Sequence, residues 1–280
     1  MLQPRLGAAR LRRSDGFALL IVLWTLVLIA FFVAHITASG RTEIRIADNL
    51  VDNAVAGAAA DGAIAAAIFN LSNPLPAQRW PLDGAAHELE VGHSHVTLRL
   101  YDEASRINPN LAAPLLLDAL LQALGVDRQH AQQLAGAIAE WVGTAPDQRP
   151  AAAILADYRA AGLDYQPPGA ALESLDELGR VLGMTPSMLA ALRPHLTLYG
   201  PAEPNPADSD PVVRAALAMA AQSSTASASA AQPAQDNVTA RITALAAGPG
   251  TARVRRIAVV RIGAAVQNGY TVLAWGDRLD

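Results

Sequence analysis

From Phe17 to Ala34 the chain carries no charge and no proline, and Thr25 is the one polar side chain in the run. As a helix rising 1.5 Å per residue this stretch is roughly 27 Å long, enough to cross the hydrocarbon of a bilayer. Beyond it apolar positions recur at helical spacing through Ile44, Ala47, Leu50, Val51, Ala54, Val55, Ala58, Ala65 and Phe69. Arg41, Glu43, Arg45, Asp48 and Asp52 take the opposite face. The pattern predicts one continuous helix from Phe17 to about Phe69, half of it membrane span and half an amphipathic spine. Its alanine-rich stripe, with Gly57 and Gly62, is expected to pack closely on a sheet, and Asn73-Pro74-Leu75-Pro76 ends it.

From about residue 88 to 101 the period changes to two, with Val96, Leu98 and Leu100 on one face, which predicts a strand. Helical signals return between 111 and 196. Pro114 starts a helix that Gly125 stops, Asp127 caps the next one to about Trp141, Ser174 and Glu177 form a capping box, and Thr185-Pro186 opens another. A helix around Val212 to Ala221 precedes the Ser, Ala, Thr and Gln-rich segment 222–236, read as a flexible loop. Three strands follow as a meander over 238–246, 251–264 and 270–275, with Asn268-Gly269 as a two-residue hairpin turn.

Composition narrows the function. Hydrophobic residues make up 52% of 280 positions, compatible with a real core. A net charge of −4 gives no global basic field for nucleic acid. The absence of cysteine removes disulfides, thiolate zinc sites and cysteine nucleophiles, and the absence of lysine removes Schiff-base and Walker-type chemistry. No Gly-x-Ser-x-Gly, His-Glu-x-x-His or glycine-rich phosphate loop is present, so no enzyme is expected. His93 and His95 share a strand face, but Glu88 and Glu90 point away from it unless a bulge at Gly92 resets the register; two ligands do not make a metal site. Asp208 and Asp210 alternate in a loop as calcium ligands often do, yet no full ligand loop surrounds them, and turn formation is the simpler reading. Arg253, Arg255, Arg256 and Arg261 make the last sheet locally basic, either as a solvated face or toward an acidic partner.

Arg5, Arg10, Arg12 and Arg13 precede Gly16-Phe17, so the amino terminus is expected to stay in the cytoplasm. A secretory signal peptide would need a cleavage site after the apolar run, where Thr37-Ala38-Ser39-Gly40 is a poor one; an uncleaved anchor leaves the Gly16-Phe17 junction unexplained. That junction resembles the processing site of type IV prepilins and pseudopilins, where a peptidase cuts after glycine. The resemblance implies a leader 1–16 and a transmembrane helix 17–39, with Phe17 as a new, N-methylated amino terminus. Most members of that superfamily carry glutamate at the fifth position after the cut, and here it is Ile21.

The order of the remaining features resembles type II secretion system protein K, a minor pseudopilin. Those features are the Ile107-Asn108-Pro109-Asn110 turn, Trp141, Leu175 to Met184 (LDELGRVLGM), Pro194 to Leu198 and Tyr270-Thr271-Val272-Leu273-Ala274-Trp275. The resemblance implies an α+β fold with a long N-terminal helix on an antiparallel sheet: an α/β domain of 40–104 and 201–280, interrupted by an all-α domain of 105–200. It implies a noncatalytic tip subunit of the pseudopilus, joined to I-type and J-type minor pseudopilins and processed by prepilin peptidase. The protein would be a single-pass protein of the bacterial inner membrane with its C-terminal domain in the periplasm, serving export across the outer membrane. No cofactor is required, and calcium enters by family analogy alone. The family usually has acidic residues after the tryptophan; Val142 to Asp147 has lost most of them, although Tyr158 remains, so a metal role for that loop is in doubt. The segment Leu175 to Leu198 is also similar to a helix-hairpin-helix unit, the basis of an alternative reading as a membrane-tethered DNA-binding protein. Its turn offers only Arg180 and Arg193 as cations, and no nucleic-acid partner is expected.

Overall fold

The computed structural model describes residues 15–146, 149–223, 237–263, 266 and 269–278. A single helix, α1 (Asp15–Leu71), carries both the apolar run and the spine over 57 residues, roughly 86 Å by its rise. It ends where the Asn73 side-chain oxygen accepts the Leu75 amide and the prolines remove further donors.

The sheet has five strands in the order of the chain, all antiparallel: β1 (Asp83–Val91), β2 (Ser94–Asp102), β3 (Val238–Ala247), β4 (Arg253–Ile262) and β5 (Tyr270–Gly276). Where the sequence predicts one strand over 88–101, a hairpin forms, because Gly92 adopts φ +61° and Val91 pairs with Ser94 across a Gly92-His93 turn. His93 therefore sits in a turn and His95 on β2, 3.4 Å from Glu90 of β1; the two histidines do not share a strand face. The C-terminal meander is present: Ile262 pairs with Tyr270, and the Gly263 amide donates to the Gly269 carbonyl at 3.1 Å, while the expected Asn268-Gly269 turn falls partly outside the described residues. Asn268 lies outside the described residues, as do 1–14 of the expected leader and 224–236 of the expected loop.

Alternate residues of three strands, Val96, Leu98 and Leu100, then Ala240, Ile242, Ala244 and Ala246, then Ala258, Val260 and Ile262, face α1 and are buried. The helix answers with Ala56, Ala59, Ala60, Ala63, Ile64, Ala67, Ile68 and Leu71. The many alanines bring the backbones close: a Cβ on Gly248 would lie 2.8 Å from the Cβ of Ala56.

Between β2 and β3 lies a helical unit with its own core: α2 (Pro114–Ala123), α3 (Arg128–Val142), α4 (Ala151–Ala160), α5 (Pro186–Leu192) and α6 (Pro211–Ser223). Asp127 and Thr185 cap α3 and α5 as expected; the Ser174–Glu177 capping box is present but opens a short 3₁₀ helix, Leu175–Arg180. Helix α4 was not predicted. The expected division at residue 200 also shifts, since Val213 and Ala216 of α6 are buried in the core of the helical unit with Leu116, Leu117 and Leu120 of α2.

Candidate assembly surface and domain junction

The apolar stripe expected to pack on the sheet faces away from it. Ile44, Ala47, Val51, Ala54, Val55, Ala58, Ala65 and Phe69 are all exposed, Phe69 by 83%. At 3.6 residues per turn these positions fall within a sector of roughly 60° to either side of Val51, and the buried set around Ala60 and Ala67 lies on the opposite side. α1 is thus apolar on two faces, and only one has a partner within the chain. From Ile44 to Phe69 the outward stripe runs roughly 37 Å. Its alanines leave room for a second helix to approach closely, and Ile44, Val51, Val55 and Phe69 supply bulk.

Nearer the membrane, Glu43 to Val51 are exposed on every side, and Ile46 and Leu50 form a second exposed apolar strip about a third of a turn or more from the first. Two segments of α1 are long and apolar enough to cross a membrane. Leu19–Ile36 has a mean hydropathy of 2.8 and no buried residues; Glu43–Leu71 is half buried against the sheet and serves as its core helix. The first is compatible with a single-pass anchor.

The second structured place is the junction where the chain enters and leaves the helical unit. Ile107 and Leu196 form a parallel bridge, with the Ile107 amide donating to the His195 carbonyl and the Thr197 amide to the Ile107 carbonyl, both at 2.9 Å. Asn108 is buried and donates to the carbonyls of Leu198 at 3.2 Å and Gly200 at 2.9 Å. Asn110 exchanges two hydrogen bonds with the backbone of Leu172, at 3.0 and 2.7 Å. Asn108 also accepts the Asn110 amide at 3.0 Å, closing the turn that the sequence motif suggests. Beyond the turn, the two asparagines tie backbone segments 62 to 92 residues apart, and the residue before α2 is Ala113.

At the centre of the junction is Glu103, fully buried at the end of β2. Its carboxylate accepts from Arg241 Nε of β3 at 2.5 Å and from the Thr197 hydroxyl of the returning chain. Nothing larger than glycine fits at position 200, where a Cβ would lie 2.6 Å from the Glu103 carbonyl oxygen. Burial raises the Asp102 pKa and lowers that of Arg106, the latter against the attraction of Glu103. Sequence reasoning missed Glu103 and Arg241, because 138 positions separate them and neither belongs to a local motif.

Asp208 and Asp210 do not converge on a common point. Asp208 accepts from Asn205 at 2.5 Å; Asp210 accepts the Val212 and Val213 amides at the start of α6 and pairs with His195 at 2.7 Å. Burial pushes the Asp210 carboxyl up, but the His195 ring and those amides outweigh it and leave its pKa lowered. Among the described residues no three His, Asp or Glu side chains gather as a metal site. In the hairpin, Arg193 is bonded to Asp176, while Leu175, Leu178 and Leu192 point into the core. Trp141 and Tyr158 both pack edge-on around Tyr165, and the Tyr158 hydroxyl accepts the Leu182 amide at 3.1 Å.

These elements define a class: an α+β protein of pilin-like build, carried on one long helix with a helical unit set into its sheet. Residues 95–202 match the family described as Type II secretion system (T2SS), protein K. The fold is similar to a chain of the GspK-GspI-GspJ complex from the enterotoxigenic Escherichia coli type 2 secretion system, with a TM-score of 0.54 and 16% identity over 85% of this chain and 98% of that one. No curated protein sequence matches. The family match and the shared fold both agree with the resemblance to type II secretion system protein K.

Proposed function

We propose that this protein is the tip subunit of a type II secretion pseudopilus, a noncatalytic component that starts the fibre with I-type and J-type minor pseudopilins and so serves export across the outer membrane. The observation that carries the reading is the outward stripe of α1. An anchored helix with an unpartnered apolar stripe beyond its membrane span is built to meet helices of other anchored subunits, and its two exposed strips offer room for two of them. The helical unit adds bulk to the head that a shaft subunit stacked above would have to avoid. Prepilin peptidase would cut between Gly16 and Phe17, leaving a single-pass protein of the inner membrane with its head in the periplasm. Mass spectrometry is expected to find Phe17, N-methylated, as the mature amino terminus. A start near Gly40 would mean an ordinary signal peptide, and an intact Met1 a simple anchor.

Ile21 fits a tip position. A carboxylate within the bilayer is costly unless it meets a cation, and in body subunits glutamate at this position is thought to meet the amine of a neighbour. Ile21→Glu, in a strain whose own copy is deleted, is expected to leave secretion unchanged or somewhat reduced. The cost of an acid at a helix centre is about 2.5–3.5 kcal/mol and lower near the interface. Improved fibre formation, or incorporation of the variant along the shaft, would contradict the tip assignment.

A further inference from the structure

The loop after Trp141, where the resemblance raises a metal role, is tied by a side chain. Helix α3 ends at Gly143 in a left-handed conformation, with the amides of Gly143, Thr144 and Ala145 all turned to the Ala139 carbonyl. A few residues later, just before α4, Arg149 donates from Nη1 to Glu140 of α3 at 3.2 Å and from Nη2 to Asp157 of α4. Glu140 is mostly enclosed, its side chain 14% exposed, so its carboxylate has limited access to water. Both carboxylates at this place are already bonded to one guanidinium, and the planar fork reaches two acceptors at once where a lysine would offer a point charge.

We propose that Arg149 is a built-in cation that closes the helical unit, cross-linking Glu140 and Asp157 as a divalent ion would, so that folding of this chain does not depend on calcium. The proposal is independent of the tip assignment, since it concerns the fold of the unit alone. Among the described residues the donor set does not fit a metal: the guanidinium occupies the two carboxylates and Val142 to Pro146 contribute no acid, while Asp147 lies outside the described residues.

The test is thermal unfolding of the purified full chain in detergent, in millimolar calcium and in chelator. The wild type is expected to melt at the same temperature in both. Arg149→Gln is expected to lower the midpoint by about 2–5 °C, a shift of the size expected for losing a partly exposed bridge. It is also expected to gain a response that the wild type lacks, because two carboxylates left facing each other invite a cation: calcium should recover part of the loss, and adding Glu140→Gln should abolish that recovery. Arg149→Lys should fall between the two. A wild-type midpoint that drops on chelation would overturn the proposal, as would an Arg149→Gln variant that melts like the wild type.

Discussion

Glu103→Ala is expected to destabilise the folded chain by about 3–5 kcal/mol, the range for removing one partner of a buried ion pair. Three facts put it there. The carboxylate is fully buried, its partner Arg241 is only 11% exposed, and the Thr197 hydroxyl on the returning chain donates to the same group. Alanine would remove this carboxylate from beside the guanidinium where water has little access, and would take away one of the ties between the helical unit and the sheet. Thermal or denaturant unfolding measures the loss, and Glu103→Gln should cost less because it keeps the shape and part of the hydrogen bonding. Glu103→Leu with Arg241→Leu is expected to recover most of the stability, since an apolar pair often replaces a buried ion pair without penalty. A Glu103→Ala protein as stable as the wild type would mean that the junction is not held by this pair.

The second large effect is expected in assembly rather than in folding. Ala58 lies mid-stripe on the outward face of α1, exposed within the chain. Ala58→Arg should therefore leave the melting temperature of the isolated protein unchanged. In a helix seam built on small residues the same change inserts a long charged side chain where close approach is required. Partner binding is expected to weaken by about 100-fold or more, which is about 3 kcal/mol or more. The same change at a surface alanine outside any interface would leave both the melting temperature and partner binding unchanged.

Much of the architecture was legible because its signals are local. The uncharged run, the proline-free spine and the period-two strands are written in consecutive residues, and so are the caps at Asp127 and Thr185. What failed was the facing of α1. Apolar residues surround much of that helix, and spacing alone cannot say which of two stripes meets the sheet; the alanines at 56, 59, 60, 63 and 67 won because strands approach closest there. The hairpin at Gly92-His93 was hidden because the alternation of β2 begins directly after the turn, and Gly-His is a weaker turn signal than Asn-Gly. The junction was not legible at all. Glu103, Arg241 and Thr197 are brought together by the topology of the insertion, and each taken alone reads as an ordinary surface residue.

The claim that the outward stripe is an assembly surface is tested most directly by co-purification of the full chain with the I-type and J-type pseudopilins of the same cell, for the wild type and for Ala58→Arg. The account predicts a three-protein complex with the wild type and its loss with the variant, both proteins melting alike when alone. A wild type that recovers neither pseudopilin, or a variant that recovers both as well as the wild type does, would contradict it.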